Sequence, residues 1–167
     1  QMLVDVVTKT IIQCPPEEVA EYAGNPDNAP TWYVNIKTVE WKTSPPIDVG
    51  SRVAFVAHFL GRRLAYTYEI VELIPGKLLV MKTAEGPFPM ETRYSWEGTP
   101  EGHTRMTLRN HGMPSGFSGW LAPLMTWAMR RANRKDLACL KAILENRGAR
   151  PDRSRPTNRR LSTAARE

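Results

Sequence analysis

Between residues 36 and 112 glycine returns at positions 50, 61, 76, 86, 98, 102 and 112, and most intervals hold ten to fifteen residues of alternating apolar and polar side chains. A two-residue period marks strands with one buried face, and turn residues at such spacing divide them into an antiparallel meander. The pattern predicts strands over 36–43, 51–60, 63–73, 77–84, 89–97 and 103–111. Their turns fall at Pro45-Pro46, Gly61, Pro75-Gly76, Gly86-Pro87 and Thr99 to Gly102. An earlier run over 3–14, rich in Val, Ile and Thr, adds a seventh strand, ended by Pro15-Pro16 because proline gives the ladder no donor.

The remaining segments read as helices. Pro16 with Glu17 and Glu18 suits a first helical turn, and Gly24 stands where a C-terminal cap would. A second short helix is expected over 29–35. Past the break Gly112-Met113-Pro114-Ser115-Gly116, helical periodicity runs from about Trp120 to Arg147, with Ser118 or Gly119 as cap and Pro123 in the first turn. Its apolar stripe is read as Leu121, Met125, Ala128, Ala132, Cys139 and Ile143, flanked by Leu124, Met129 and Leu140. Asp136 falls within this stripe, so its carboxyl is expected to be hydrogen-bonded, to an arginine or a strand hydroxyl, in a structural role.

The 167 residues carry a net charge of +6, but not evenly. Residues 148–167 hold six arginines against Asp152 and Glu167, a net +4, which leaves the body nearly neutral. With Leu161 as its one large apolar side chain, this tail is expected to be disordered in isolation. The division is therefore a domain over 1–148 and an Arg-rich tail over 149–167. No apolar run approaches the roughly 18 residues that span a bilayer, and no basic segment with an apolar core opens the chain, so a soluble, cytoplasmic protein is expected.

One strand, two short helices, six further strands and a long closing helix is a specific order, and a curved sheet wrapped on the helix buries both apolar faces. The chain resembles the START-like (SRPBCC) superfamily, in particular the polyketide cyclase/dehydratase and lipid-transport group with Bet v 1-like and coenzyme Q-binding proteins. The resemblance rests on Ile12 to Val19 at the first strand–helix joint, Asn25-Pro26 and Pro30-Thr31-Trp32, Val49 to Val53, and Glu69 to Glu72 with Pro75-Gly76. Gly86 to Pro89, Asp136-Leu137, Leu140-Lys141 and Glu145 add to it. It covers about residues 3–147 and implies an α+β helix-grip fold: a seven-stranded curved antiparallel sheet around a long C-terminal helix, with two short helices between the first two strands.

In that fold the concave face encloses a space for a hydrophobic ligand. Alternation turns Phe55, Ala57 and Phe59 inward on one strand and Tyr66 and Tyr68 on the next. Met81, Thr83, Met90, Thr92, Tyr94 and Asn110 follow on the others, with Leu124, Met125 and Ala128 from the helix and Trp32 near the mouth. These are the candidate ligand-binding residues. The same aromatics and methionines also suit a solid core, and the resemblance favours a cavity for a lipid, polyketide or quinone-like molecule.

Catalytic motifs are missing: no nucleophile elbow, phosphate loop or dinucleotide fingerprint occurs. His58, His103 and His111 lack metal-ligand spacing with one another or with the two cysteines, so no metal and no cofactor is expected. If the chain catalyses, as the resemblance to aromatase/cyclases implies, the candidates are Asn110, Tyr66, Tyr94 and His111: a tyrosine, Asn110 or an arginine would polarise a carbonyl of a poly-β-keto substrate, and His111 would be the acid or base. The residues do not decide between binding and catalysis. A third reading, a coenzyme Q-binding or ribosome-associated protein, would use the tail on anionic lipid or RNA, without sequence-specific nucleic-acid recognition, as a monomer or dimer.

Overall fold

A computed structural model describes residues 3–113 and 121–149. Seven strands, β1 (Val4–Ile12), β2 (Ile36–Trp41), β3 (Arg52–Phe59), β4 (Arg62–Ile74), β5 (Leu78–Glu85), β6 (Met90–Gly98) and β7 (Thr104–Gly112), form one antiparallel sheet in the order β1-β7-β6-β5-β4-β3-β2. Between β1 and β2 lie α1 (Pro16–Gly24), a 3₁₀ turn at Pro26–Asn28 and the single turn α2 (Ala29–Trp32). The long helix α3 (Ala122–Ala149) follows β7. The expected helix-grip architecture is thus present; the expected cap at Ser118 or Gly119 and the Arg-rich tail beyond Ala149 lie outside the described residues.

Local chemistry sets the boundaries. Pro16 opens α1, where its missing N–H has no helical partner to lose, and the Pro15 carbonyl accepts from the Glu18 and Val19 amides. Gly24 ends the helix from inside: the following Asn25 is extended, so no left-handed cap forms. The β3–β4 turn is two residues, Leu60 and Gly61, both at positive φ (50° and 73°), the sign that tight hairpin turns require and that glycine adopts without strain. The second short helix is shorter than the expected 29–35, because Tyr33 is already extended. That departure turns the Val34 amide toward α3, where Asp136 accepts it.

Register irregularities between Ile36 and Thr38, Thr67 and Tyr68, and Ile70 and Glu72 curl the sheet, as bulges increase local twist. Its concave face holds Val53, Phe55, Leu64, Tyr66, Ile70, Met81, Met90, Tyr94, Trp96, Met106 and Leu108, all buried. The register sets Phe55 beside Tyr66, Met81 beside Thr92, and Thr92 beside Asn110.

Helix α3 packs across this face, but the buried stripe is turned from the one the sequence suggested by roughly one residue step, about 100°. Its buried members are Ala122, Met125, Asn133, Asp136, Leu137, Leu140 and Leu144, whereas Leu124 is 51% exposed and Ala128 sits at the edge. The solid core forms at two places along the helix. Leu137, Leu140 and Leu144 pack with Ile12, Leu79, Trp96 and Met106 under its C-terminal half. Met125 packs with Val4, Val6, Leu64, Phe88 and Met90 nearer its start. A fully buried leucine contributes roughly 1.5–3 kcal/mol, so these clusters anchor the helix while the stretch between them presents smaller and polar groups.

Candidate functional site

Between the two clusters the sheet and α3 leave a cavity of about 160 Å³. Helix α3 contributes Met125, Met129, Ala132, Asn133 and Asp136. The strands contribute Phe55, Ala57, Phe59, Leu64, Tyr66, Tyr68, Leu79, Met81, Met90, Thr92, Tyr94 and Asn110, and the turn after β5 contributes Phe88. Tyr33, Asn35 and Ile36 close the side toward β2. The aromatic rings meet edge-on: Tyr66 and Phe88 are 5.8 Å apart at 77°, and Phe55 and Tyr68 are 5.9 Å apart at 68°. Glycine 86 permits this wall, since a Cβ there would stand 2.5 Å from the Tyr66 ring.

The polar groups form three small constellations. The hydroxyls of Tyr33 and Tyr94 hydrogen-bond to each other. Thr92 donates its hydroxyl to Asn110 Oδ1 at 2.6 Å, and Asn110 Nδ2 donates to Asn133 Oδ1 at 3.3 Å. The Val34 N–H donates to Asp136 Oδ1 at 2.9 Å.

Enclosure disfavours the charged forms of these groups. Burial raises the Asp136 carboxyl from 3.8 to about 7, against the pull of the Val34 amide. Burial also pushes Tyr68 up to about 12, with a hydrogen bond to Thr92 acting in the opposite direction, and raises Tyr33, Tyr66 and Tyr94 further. At neutral pH the phenols are therefore neutral donors. Among the described residues no Lys, Arg or His lines the cavity, and no group of His, Cys, Asp and Glu side chains is gathered as metal ligands would be.

Of the sequence candidates, Phe55, Ala57, Phe59, Tyr66, Tyr68, Met81, Met90, Thr92, Tyr94, Asn110 and Met125 are brought together around this space. Five others are not. Trp32 is buried in the core behind Tyr33, with ring centroids 4.0 Å apart, rather than at a mouth. The Thr83 hydroxyl is engaged by the Met90 backbone, accepting its N–H at 2.6 Å and donating to its carbonyl at 3.0 Å. Leu124 faces solvent, and Ala128 lies off the lining, because the helix is rotated from its expected setting. His111 is on the convex face, its Nε2 3.3 Å from Glu91 Oε2, since strand alternation sends it opposite to Asn110.

Asn133 was missed, and Asp136 was assigned a different partner and a packing role. Both follow from helical spacing: they fall in line with Met125, Met129 and Leu140 once the stripe is centred correctly. Asp136 bonds a backbone amide instead of an arginine or hydroxyl. A second groove of about 600 Å³ lies outside the cavity, lined by Glu17, Glu21, Asp27, Trp41, Pro45, Pro46 and Trp96, and Gly24 and Leu79 line both spaces.

The sequence matches the polyketide cyclase/dehydrase and lipid transport family over residues 4–145, and the chain belongs to that family. No protein of curated function matches it. Among solved structures it is similar to the ZhuI aromatase/cyclase of Streptomyces sp. R1128, at a TM-score of 0.74 and 13% identity over 88% of this chain and 96% of that one. A START superfamily protein of Mycobacterium smegmatis gives 0.73 and 12% over 85% and 97%. The major latex-like protein 151 of Panax ginseng gives 0.67 and 14% over 86% and 99%. At these identities the likeness is one of fold, the START/Bet v 1-like helix grip. Among the described residues no helix is long and apolar enough to cross a membrane.

Proposed function

We propose that this chain binds a flat, hydrophobic small molecule, aromatic or quinone-like, in the cavity between the sheet and α3. The observation that carries the reading is the wall itself: rings and methionines over most of the surface, with hydroxyl, amide and carboxyl groups and no cationic side chain among the described residues. Such a wall favours apolar rings through contact area and orients them by a few hydrogen bonds. The volume is close to that of an engineered apolar cavity of about 150 Å³ that accepts benzene. One ring or two fused rings match it, whereas a long poly-β-keto chain requires the rim to open.

Native mass spectrometry of the purified chain, followed by solvent extraction, tests the proposal. A co-purifying aromatic, quinone or lipid supports it. Failure of every small aromatic in a titration to bind saturably, read by the fluorescence of the cavity tyrosines, would overturn it.

A second reading, catalysis of the cyclase type, is favoured by one observation: a carboxyl that stays protonated up to about pH 7 stands in the same cavity as the Tyr33–Tyr94 pair. A neutral acid and a phenol are donors able to polarise a substrate carbonyl during enolisation. Loss of turnover in Asn110→Ala, Tyr66→Phe, Tyr94→Phe and Asp136→Asn, with binding retained, would support this reading over simple carriage.

A further inference from the structure

Three cavity side chains from three elements form a directed chain of hydrogen bonds. Thr92 on β6 donates to Asn110 Oδ1, and Asn110 on β7 then donates to Asn133 Oδ1 on α3. Asn110 turns its oxygen to Thr92 and its nitrogen to Asn133, and Asn133 turns its oxygen to Asn110. The chain ends at Asn133 Nδ2, which is enclosed and has no hydrogen-bond partner among the described residues. Asn133 is 4% exposed and lines the cavity.

A buried amide nitrogen without an acceptor is destabilising, and folded proteins contain few of them. Turning the Asn133 amide over does not relieve it, since its nitrogen would then face the Asn110 nitrogen, donor against donor. Asn110 and Thr92 stand behind the group, and Asn133 is one of the residues that line the cavity. A molecule with an oxygen acceptor on its ring can supply the missing partner, whereas a bare hydrocarbon or a ring bearing only an N–H leaves the amide as it was.

We infer that Asn133 is the specificity-determining residue of the cavity, its Nδ2 donating to a carbonyl oxygen of the bound ring, with Thr92 and Asn110 as positioning residues that fix the direction of that donor. The inference rests on the binding reading above and narrows it from hydrophobic rings in general to rings bearing a ketone or quinone oxygen.

Three probes of similar size test it by calorimetric titration: 1-indanone with an acceptor, indane with neither group, and indole with a donor only. The wild-type chain is expected to bind 1-indanone about tenfold more tightly than either of the others, equivalent to about 1.4 kcal/mol. In Asn133→Leu, which keeps the shape and removes the amide, 1-indanone and indane should bind alike, with indane at least as tight as in the wild type. In Thr92→Val the amides lose the donor that sets their direction, so the preference for 1-indanone over indole should collapse while indane is unaffected. Binding of all three probes with equal affinity, a preference for indole, or a preference for 1-indanone that survives Asn133→Leu would overturn the inference and leave the binding reading standing. If none of the three binds, the binding reading falls and the inference with it.

Discussion

The Asp136 carboxyl of α3 accepts the Val34 amide at 2.9 Å, a single bond that ties the long helix to the segment leading into β2. The bond needs an acceptor, which a carboxylate, a neutral carboxyl and a carboxamide all provide, so its geometry and its charge can be separated.

The pH dependence of stability is the first consequence. Burial raises the folded-state Asp136 from 3.8 to about 7, so the folded chain holds a proton that the unfolded chain has released. The sign follows: the contribution of this group is fully present below about pH 4 and is lost as pH rises to about 7. A shift of this size corresponds to at most about 4 kcal/mol. The titratable groups facing it are the phenols of Tyr33 and Tyr94, neutral throughout that range. Urea denaturation of Asp136→Asn should match the wild type near pH 4 and exceed it by a few kcal/mol at pH 8; equal stability at both pH values would refute the assignment.

The phenol pair predicts non-additivity. Tyr33→Phe or Tyr94→Phe alone leaves the other hydroxyl buried without its partner, at a cost of about 1–3 kcal/mol. The double variant removes both hydroxyls and should be less destabilised than the sum of the two. A double-mutant cycle by chemical denaturation reads the coupling, expected at about 0.5–3 kcal/mol; additive losses would show that the two hydroxyls do not interact.

Gly112 sits in β7 between Val4 of β1 and Met90 of β6, and a Cβ there would lie 2.2 Å from the Pro89 carbonyl oxygen. Because the obstruction is backbone, Gly112→Ala should destabilise by about 1–3 kcal/mol. Gly98→Ala, whose Cβ meets the Pro16 ring at an ordinary 3.7 Å, is the control. Thermal unfolding of the two variants should differ by several degrees, with Gly98→Ala the nearer to wild type.

The setting of α3 is tested by neighbours in sequence. Met125 is buried and Leu124 is not, so Met125→Ala should cost about 2–5 kcal/mol and Leu124→Ala less than about 0.5 kcal/mol. Comparable losses at the two positions would show that Leu124 packs as a flank of the stripe, as the apolar pattern alone suggests. His111→Gln should likewise leave probe binding in the cavity unchanged, since the imidazole pairs with Glu91 on the far face.

The sheet was legible because alternation is a strong signal wherever one face is buried: Tyr66, Tyr94 and Asn110 were assigned inward on that basis, and the strands place them there. Applied to one more residue, the same rule places His111 outward; its acid–base chemistry and its place at the end of the last strand had made it a candidate. The helix was harder. Exposed Leu124 and Trp127 pull the apolar average toward solvent, and Asn133 and Asp136 pull it away from the true centre, so a count of apolar residues finds the wrong side. Asn133 carries no signal of its own, since an asparagine in a helix reads as surface until the packing is known. The early end of α2 was illegible for a related reason: the acceptor for the Val34 amide lies 102 residues away.

The strand order sets the first strand of the chain beside the last, with Val4 opposite Gly112. Strands β2 to β7 pair in succession with neighbours in sequence, but β1 has nothing to pair with until residues 104–112 exist. At synthesis rates of roughly 5–20 residues per second, about 100 intervening residues leave it waiting for roughly 5–20 seconds. During that interval Val4, Val6 and Ile12, all fully buried in the finished sheet, have no native cover. Strand β1 is therefore the longest-unpartnered of the seven strands during synthesis, and the one that chaperones or a wrong neighbour would meet first.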